Sequence, residues 1–139
     1  MIILDTNVIS ALMVEEPEPV VASWLDRYPP ESVWTTAVTV FELRLGIEIL
    51  PHGRKRRALE EQFAHTLNDD LQGRVLAVDF DASHRAAALS ARRRARGNPI
   101  DIRDTLIAGI AISRKAELAT RNIRHFADLD LPVIDPWAG

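Results

Sequence analysis

The sequence predicts an α/β fold, a central and mostly parallel sheet flanked by helices on both faces. Two observations carry this. Short apolar segments alternate along the chain with longer segments of helical character, the order that a parallel sheet with crossover helices requires. The 139 residues are 47% hydrophobic and 27% charged, a balance that gives one ordinary domain its own core and excludes a disordered or fibrous chain. With no internal repeat, low-complexity tract or linker, residues 1–139 read as a single domain.

Met1 to Leu4 has the isoleucine-rich composition of a buried strand, and Asp5 stands at its end. Thr6 to Met13 reads as a short helix, stopped by the glutamate and proline cluster from Glu15 to Pro19, and Val20 to Tyr28 as a second, ended by Pro29 and Pro30. Val33 to Thr35 is a small strand, followed by a helical pattern from Ala37 to Leu50 that Pro51 closes. Gly53 to Leu71 is an amphipathic helix with Leu59, Phe63 and Leu67 along one face. Val75 to Val78 is a third strand, and Asp81 is placed to cap the alanine-rich helix that runs to Arg96. Gly97, Asn98 and Pro99 break the chain; Ile102 to Lys115 is then helical, and Leu118 to Thr120 and Val133 to Ile134 are strands.

Composition limits the chemistry. Cysteine is absent, which removes disulfides, thiol nucleophiles and thiolate zinc sites and leaves oxygen and nitrogen groups. The apolar run at the start is broken at Asp5, and no later segment approaches membrane length, so the expectation is a cytoplasmic protein with neither signal peptide nor membrane contact. The net charge of −3 argues against a generic polyanion binder. It is unevenly placed: residues 1–52 carry two basic and eight acidic side chains, residues 53–139 fifteen and twelve.

Ligands of open parallel sheets bind beyond the carboxyl ends of the strands. Asp5, Asp79 and Asp135 lie there; Asp79 and Asp135 read as turn formers. Asp5 follows the first strand directly into a helix, as an N-cap or as a site residue. Glu42 has Val38, Leu45 and Ile49 at helical spacing, a buried-looking face on which a carboxylate needs a partner. The alternative is a capping box, Thr39 capping and Glu42 reaching back, which requires the helix to start at Thr39. Asp104 shares its face with Ile107, Ala108 and Ala111, unless Asp101 caps and Asp104 serves only the first turn. Crowded carboxylates repel unless a cation sits among them. Oxygen ligands without cysteine, and His52, His65, His84 and His125 scattered as surface or helix-end residues, point to Mg²⁺ or Mn²⁺ rather than zinc. Mg²⁺ held by a few carboxylates suits phosphodiester hydrolysis.

Four ordered segments carry a resemblance: Ile3-Leu4-Asp5-Thr6-Asn7; Val40-Phe41-Glu42-Leu43 with Gly46; Pro99-Ile100 leading to Asp104-Thr105-Leu106-Ile107-Ala108; and Thr120-Arg121-Asn122 followed by His125-Phe126. They span nearly the whole chain. It resembles the PIN-domain proteins of the VapC type, toxins of bacterial type II toxin–antitoxin pairs, and especially their FitB-like branch. The resemblance implies a PIN-like three-layer fold and a metal-dependent endoribonuclease whose Asp5, Glu42 and Asp104 bind the ion and the attacking water. It implies products with a 5′-phosphate and a 3′-hydroxyl. A fourth polar position, aspartate in many relatives, is Asn122 here, which accepts a hydrogen bond but cannot act as a base. Thr6 and Thr120 fall where hydroxyls would contact the acids or a water, or serve a turn or cap.

Arg54 and Arg56 of the Arg54-Lys55-Arg56-Arg57 cluster, and Arg92 and Arg93 of the Arg92-Arg93-Arg94 run with Arg96, are the candidates for contacts with RNA phosphates. Their alternative is a solvated helix face. The resemblance also implies a cognate antitoxin that covers the site and itself binds operator DNA, and a homodimer, for which the apolar surplus on Ala37 to Leu50 is a compatible surface, with ordinary core packing as its alternative. A catalytically silent PIN-fold protein acting through its antitoxin and DNA is the first rival. A phosphoacceptor signalling domain is the second, disfavoured because Thr6 rather than an acid follows Asp5 and only Lys55 and Lys115 occur.

Overall fold

The structure, a computed structural model, describes residues 1–138. Five strands form one sheet, β1 (Ile2–Leu4), β2 (Val33–Thr36), β3 (Val75–Leu76), β4 (Glu117–Ala119) and β5 (Val133–Ile134), in the order β3-β2-β1-β4-β5. Every pairing is parallel, with Ile3 beside Trp34 on one side and Leu118 on the other. The helices are α1 (Thr6–Leu12), α2 (Pro19–Leu25), α3 (Ala37–Glu48), α4 (Arg54–His65), α5 (Phe80–Ala95) and α6 (Ile102–Arg114). Among the described residues no helix is long and apolar enough to cross a membrane.

The two-residue period of the strands divides the core into two layers. Ile3 and Leu118 face α5 and α6 and join Ala82, Leu89, Ile107 and Ala111. Ile2, Leu4 and Ala119 face the other way, toward Val8, Trp24, Phe63 and Leu71. Both faces of the central strands are therefore buried, which is why they read as unbroken apolar runs. α5 and α6 approach each other closely. A Cβ on Gly109 would lie 2.5 Å from the Ala82 carbonyl oxygen and 2.8 Å from the Ala86 Cβ, so small residues on both helices are a packing requirement.

Local boundaries depart from expectation in three places. Asp79, not Asp81, caps α5: it is extended and its carboxylate accepts the Ala82 N–H at 2.9 Å. Asp81 sits in the first turn and faces Arg85 at 3.6 Å. The helix expected to run from Gly53 to Leu71 ends at His65 and continues as a π-turn over Thr66–Asp70, while Leu59, Phe63 and Leu67 pack inward as their spacing predicts. The Thr39 capping box is absent, because Thr36 caps α3 by accepting the Thr39 N–H at 3.2 Å. Glu42 lies well inside the helix.

Candidate active site

In this strand order the chain runs outward from β1 through β2 and β3, then returns to add β4 and β5 on the other side. The crevice beyond the carboxyl end of β1 is thus the switch point at which open parallel sheets bind ligands. β1 delivers Asp5 there. Its N–H pairs with the Ala119 carbonyl at 2.9 Å, continuing the sheet by one residue. Its Oδ1 accepts the Thr6 N–H and its Oδ2 accepts the Thr120 hydroxyl, both at 2.8 Å. Asp5 caps α1 through one oxygen and leaves the other to Thr120 at the pocket floor.

A pocket of about 290 Å³ opens over Asp5, lined by Thr6, Asn7, Ser10, Glu42, Asp104 and Asn122 as well. The structure brings all four acid or amide positions singled out in the sequence to this one place. α3 supplies Glu42 and α6 supplies Asp104 from the third position of its first turn, after Asp101 has capped the helix. Asp104 therefore sits in the first turn of a helix capped by Asp101 and also lines the pocket. Ile107, Ala108 and Ala111 of its face are buried as expected. The face of Glu42 is a correction: Val38 is buried, but Leu45 and Ile49 are 43% and 75% exposed. These residues, with Phe41, form an outward stripe that mimics a core face in the sequence.

Each carboxylate is held by protein groups. Glu42 accepts the Thr6 hydroxyl at 3.0 Å, and Thr6 in turn lies 3.0 Å from the Thr39 hydroxyl. An ionised Glu42 only accepts, so this chain of hydroxyls is oriented toward it. The other Glu42 oxygen lies 3.7 Å from the Arg103 guanidinium, and Asp104 lies 2.6 Å from His125 Nδ1. Sequence reasoning missed both of these partners, Arg103 and His125. His125, expected at a surface or helix end, stands in the segment that carries Asn122, and Arg103 stands next to Asp104 along the chain.

Asp5 is different. It is 2% exposed, and among the described residues no basic side chain offsets its charge. Burial, then the repulsion of Asp104 and Glu42, against the opposing hydrogen bonds of Thr120 and Thr6, raises its pKa from 3.8 to about 6. As they stand, no three Asp, Glu or His side chains among the described residues converge to hold an ion between them. The donor set nevertheless fits a hard divalent cation: oxygen donors only, around one small pocket, with the deepest carboxylate lacking any counter-charge. Asn122 adds a neutral amide at the rim, its backbone N–H donating to the Thr120 hydroxyl oxygen at 3.0 Å.

The four arginines proposed for RNA separate. Arg93 is corrected, being 1% exposed, with its guanidinium inside the fold on both Asp128 oxygens at 2.9 Å, the Thr105 hydroxyl at 3.0 Å and the His125 carbonyl at 2.8 Å. Arg56 is also spent, on Glu48 at 3.1 Å, Glu60 at 3.2 Å and the Leu50 carbonyl at 3.2 Å. Arg54 and Arg92 are exposed, and neither lines the acidic pocket.

Comparison with known proteins agrees over the whole chain. A family profile described as PIN domain matches residues 2–131. A VapC ribonuclease of Sinorhizobium fredii is 38% identical over 99% of this chain and 98% of its own, and the toxin FitB of Neisseria gonorrhoeae is 35% identical over 99% of each. Among solved structures, FitAB bound to a DNA fragment superposes with a TM-score of 0.87 at 34% identity, covering 99% of this chain and 96% of that one.

Proposed function

The chain belongs to the PIN-domain family, and on that footing we propose that it is the endoribonuclease toxin of a type II toxin–antitoxin pair, dependent on a divalent cation. The observation that carries the proposal is the buried, uncompensated Asp5 at the floor of a pocket walled by Glu42 and Asp104. An ion held by Asp5, Glu42 and Asp104, Mg²⁺ or Mn²⁺, would supply Lewis acidity toward an RNA phosphodiester and its attacking water. The protein's part is orientation. Thr6 N–H and Thr120 fix both Asp5 oxygens, and the Thr39–Thr6 hydroxyl chain fixes one Glu42 oxygen. One of the carboxylates, Asp5 or Glu42, would accept the water's proton. Asn122 positions by hydrogen bonding and carries no charge.

Partners follow the same logic. The structural relative FitAB is a complex bound to DNA, which supports a cognate antitoxin that covers the pocket and carries operator DNA. Phe41, Leu45 and Ile49, 58%, 43% and 75% exposed in one stripe along α3, support a homodimer through that helix. Arg54 and Arg92 remain available for outer phosphate contacts of the RNA.

Asn122 in place of an acid favours a second reading, a silent PIN-fold protein acting only through its antitoxin. Cleavage of a panel of structured RNAs with Mg²⁺, with Mn²⁺ and with excess chelator decides between them. The proposal expects cleavage with metal, none with chelator, and at least a hundredfold loss in Asp104→Asn at unchanged thermal stability. Metal binding without cleavage of any RNA would establish the silent reading.

A further inference from the structure

Beside the acidic pocket lies a second cleft of about 910 Å³, lined by Asn98 to Asp101, Arg121 to His125, Ala127 and Asp135. Asn122 is the one residue common to the walls of both cavities. The register between them is built in. Asp5 holds the Thr120 hydroxyl, Thr120 receives the Asn122 N–H, and Arg121 N–H donates to Asn7 at 3.2 Å, two residues beyond Asp5. The backbone that carries Arg121 is therefore anchored to the same strand end as the buried carboxylate.

The cleft's charges are not equivalent. Asp101 is held by Arg103 at 3.1 Å, and Asp135 caps the Trp137 N–H at 2.9 Å. Arg121 and Arg124 have no carboxylate at ion-pair distance among the described residues. Arg121 is laid over the Trp137 ring, its guanidinium carbon 4.6 Å from the ring centroid, while the residue as a whole is exposed. The guanidinium thus sits over the indole at cation–π distance, a contact that holds it in place and leaves the rest of its plane open to a ligand. An arginine plane held this way is the surface on which unpaired bases of RNA stack, and a duplex cannot present a base to it.

On the nuclease reading above, we propose that this cleft binds the nucleotides flanking the scissile phosphate, with a base stacked on Arg121 and a phosphate paired with Arg124. Arg121 is a platform and Arg124 a charge. The two roles separate by substitution.

The test is binding of a short fluorescent single-stranded oligoribonucleotide in chelator at several salt concentrations, in wild type and in Arg121→Ala, Arg121→Lys and Arg124→Ala, with Tm recorded for each. Arg121→Ala is expected to weaken binding about tenfold, as loss of one stacked base does. Arg121→Lys keeps the salt dependence of wild type without recovering that affinity. Arg124→Ala lowers the slope of log Kd against log salt by about 0.7, one single-strand phosphate contact. A duplex of the same sequence competes weakly. Wild-type affinity and salt slope in the alanine variants, with native Tm, would overturn the assignment. So would their loss of antitoxin binding at unchanged RNA affinity, which would give the cleft to a protein. Wild type that binds through Arg121 and Arg124 yet cleaves no RNA would sink the nuclease reading alone.

Discussion

Among the described residues two charged side chains, Asp5 and Arg93, are almost fully removed from water, and they are treated in opposite ways. Arg93, inside the layer formed by α5 and α6, meets a bidentate carboxylate, a hydroxyl and a carbonyl, and Asp128 is held below the ordinary carboxylate range by its hydrogen bonds to that guanidinium. Asp5, at the end of β1, has hydrogen bonds but no cation, and its pKa moves up. Burying a charge costs several kcal/mol unless geometry and hydrogen bonding offset it. Where the offset is complete the group serves architecture: Arg93 ties α5 to the segment that carries Asn122 and His125. Where the offset is missing, the fold holds a vulnerability that a ligand of opposite charge would relieve. A buried charge is informative about function in proportion to what its surroundings leave undone.

The largest expected effect tests the satisfied side. Arg93→Met leaves the His125 carbonyl and the Asp128 carboxylate without the guanidinium that holds them; unfolding by urea should show a loss of about 3 kcal/mol. A loss below about 1 kcal/mol would mean that the clip is not structural.

Next comes the unsatisfied side. For Asp5 the folded pKa of about 6 exceeds the ordinary 3.8, so between those values the folded state binds more protons than the unfolded one. Its contribution is present at low pH and lost as pH rises toward about 6, costing the chelated protein about 3 kcal/mol at pH 7. Asp5→Asn should therefore stabilise the metal-free protein at pH 7 by about 1–3 kcal/mol, flatten the stability profile between pH 4 and 6, and abolish cleavage. Destabilisation at pH 7 in that variant would erase the contrast with Arg93.

Glu42 gives the smallest change in stability. Its side chain is 21% exposed and its partner Arg103 45% exposed, so Glu42→Gln should shift unfolding by less than about 0.5 kcal/mol while lowering kcat of RNA cleavage at least a hundredfold. Equal loss of stability and activity would show that Glu42 acts through the fold rather than on the chemistry.

Much of this was legible in the residues. The strands follow from short apolar runs buried on both faces, and most helix ends from proline, glycine and the Asp101 cap. Arg93 carried an unused signal: Ala82, Ala86, Leu89 and Arg93 fall at helical spacing, so the one arginine of its run on the inner face could have been picked out. The face of Glu42 misled for the opposite reason, since an exposed apolar stripe and a core stripe have the same period. The Asp79 cap was missed because Asp79 and Asp81 both suit a helix start, and the choice depends on where β3 releases the chain.

By itself the sequence determined what is local: which segments are strands, which faces are apolar, where helices begin within a residue or two, and that oxygen and nitrogen groups had to serve any site. Only the tertiary structure decided that Asp5, Glu42, Asp104 and Asn122 share one pocket, that Arg93 is internal and that His125 stands against Asp104. The reason is physical. Periodicity and capping are interactions between near neighbours along the chain, whereas the pocket exists because β1 lies between β2 and β4, a pairing whose partners are far apart in sequence.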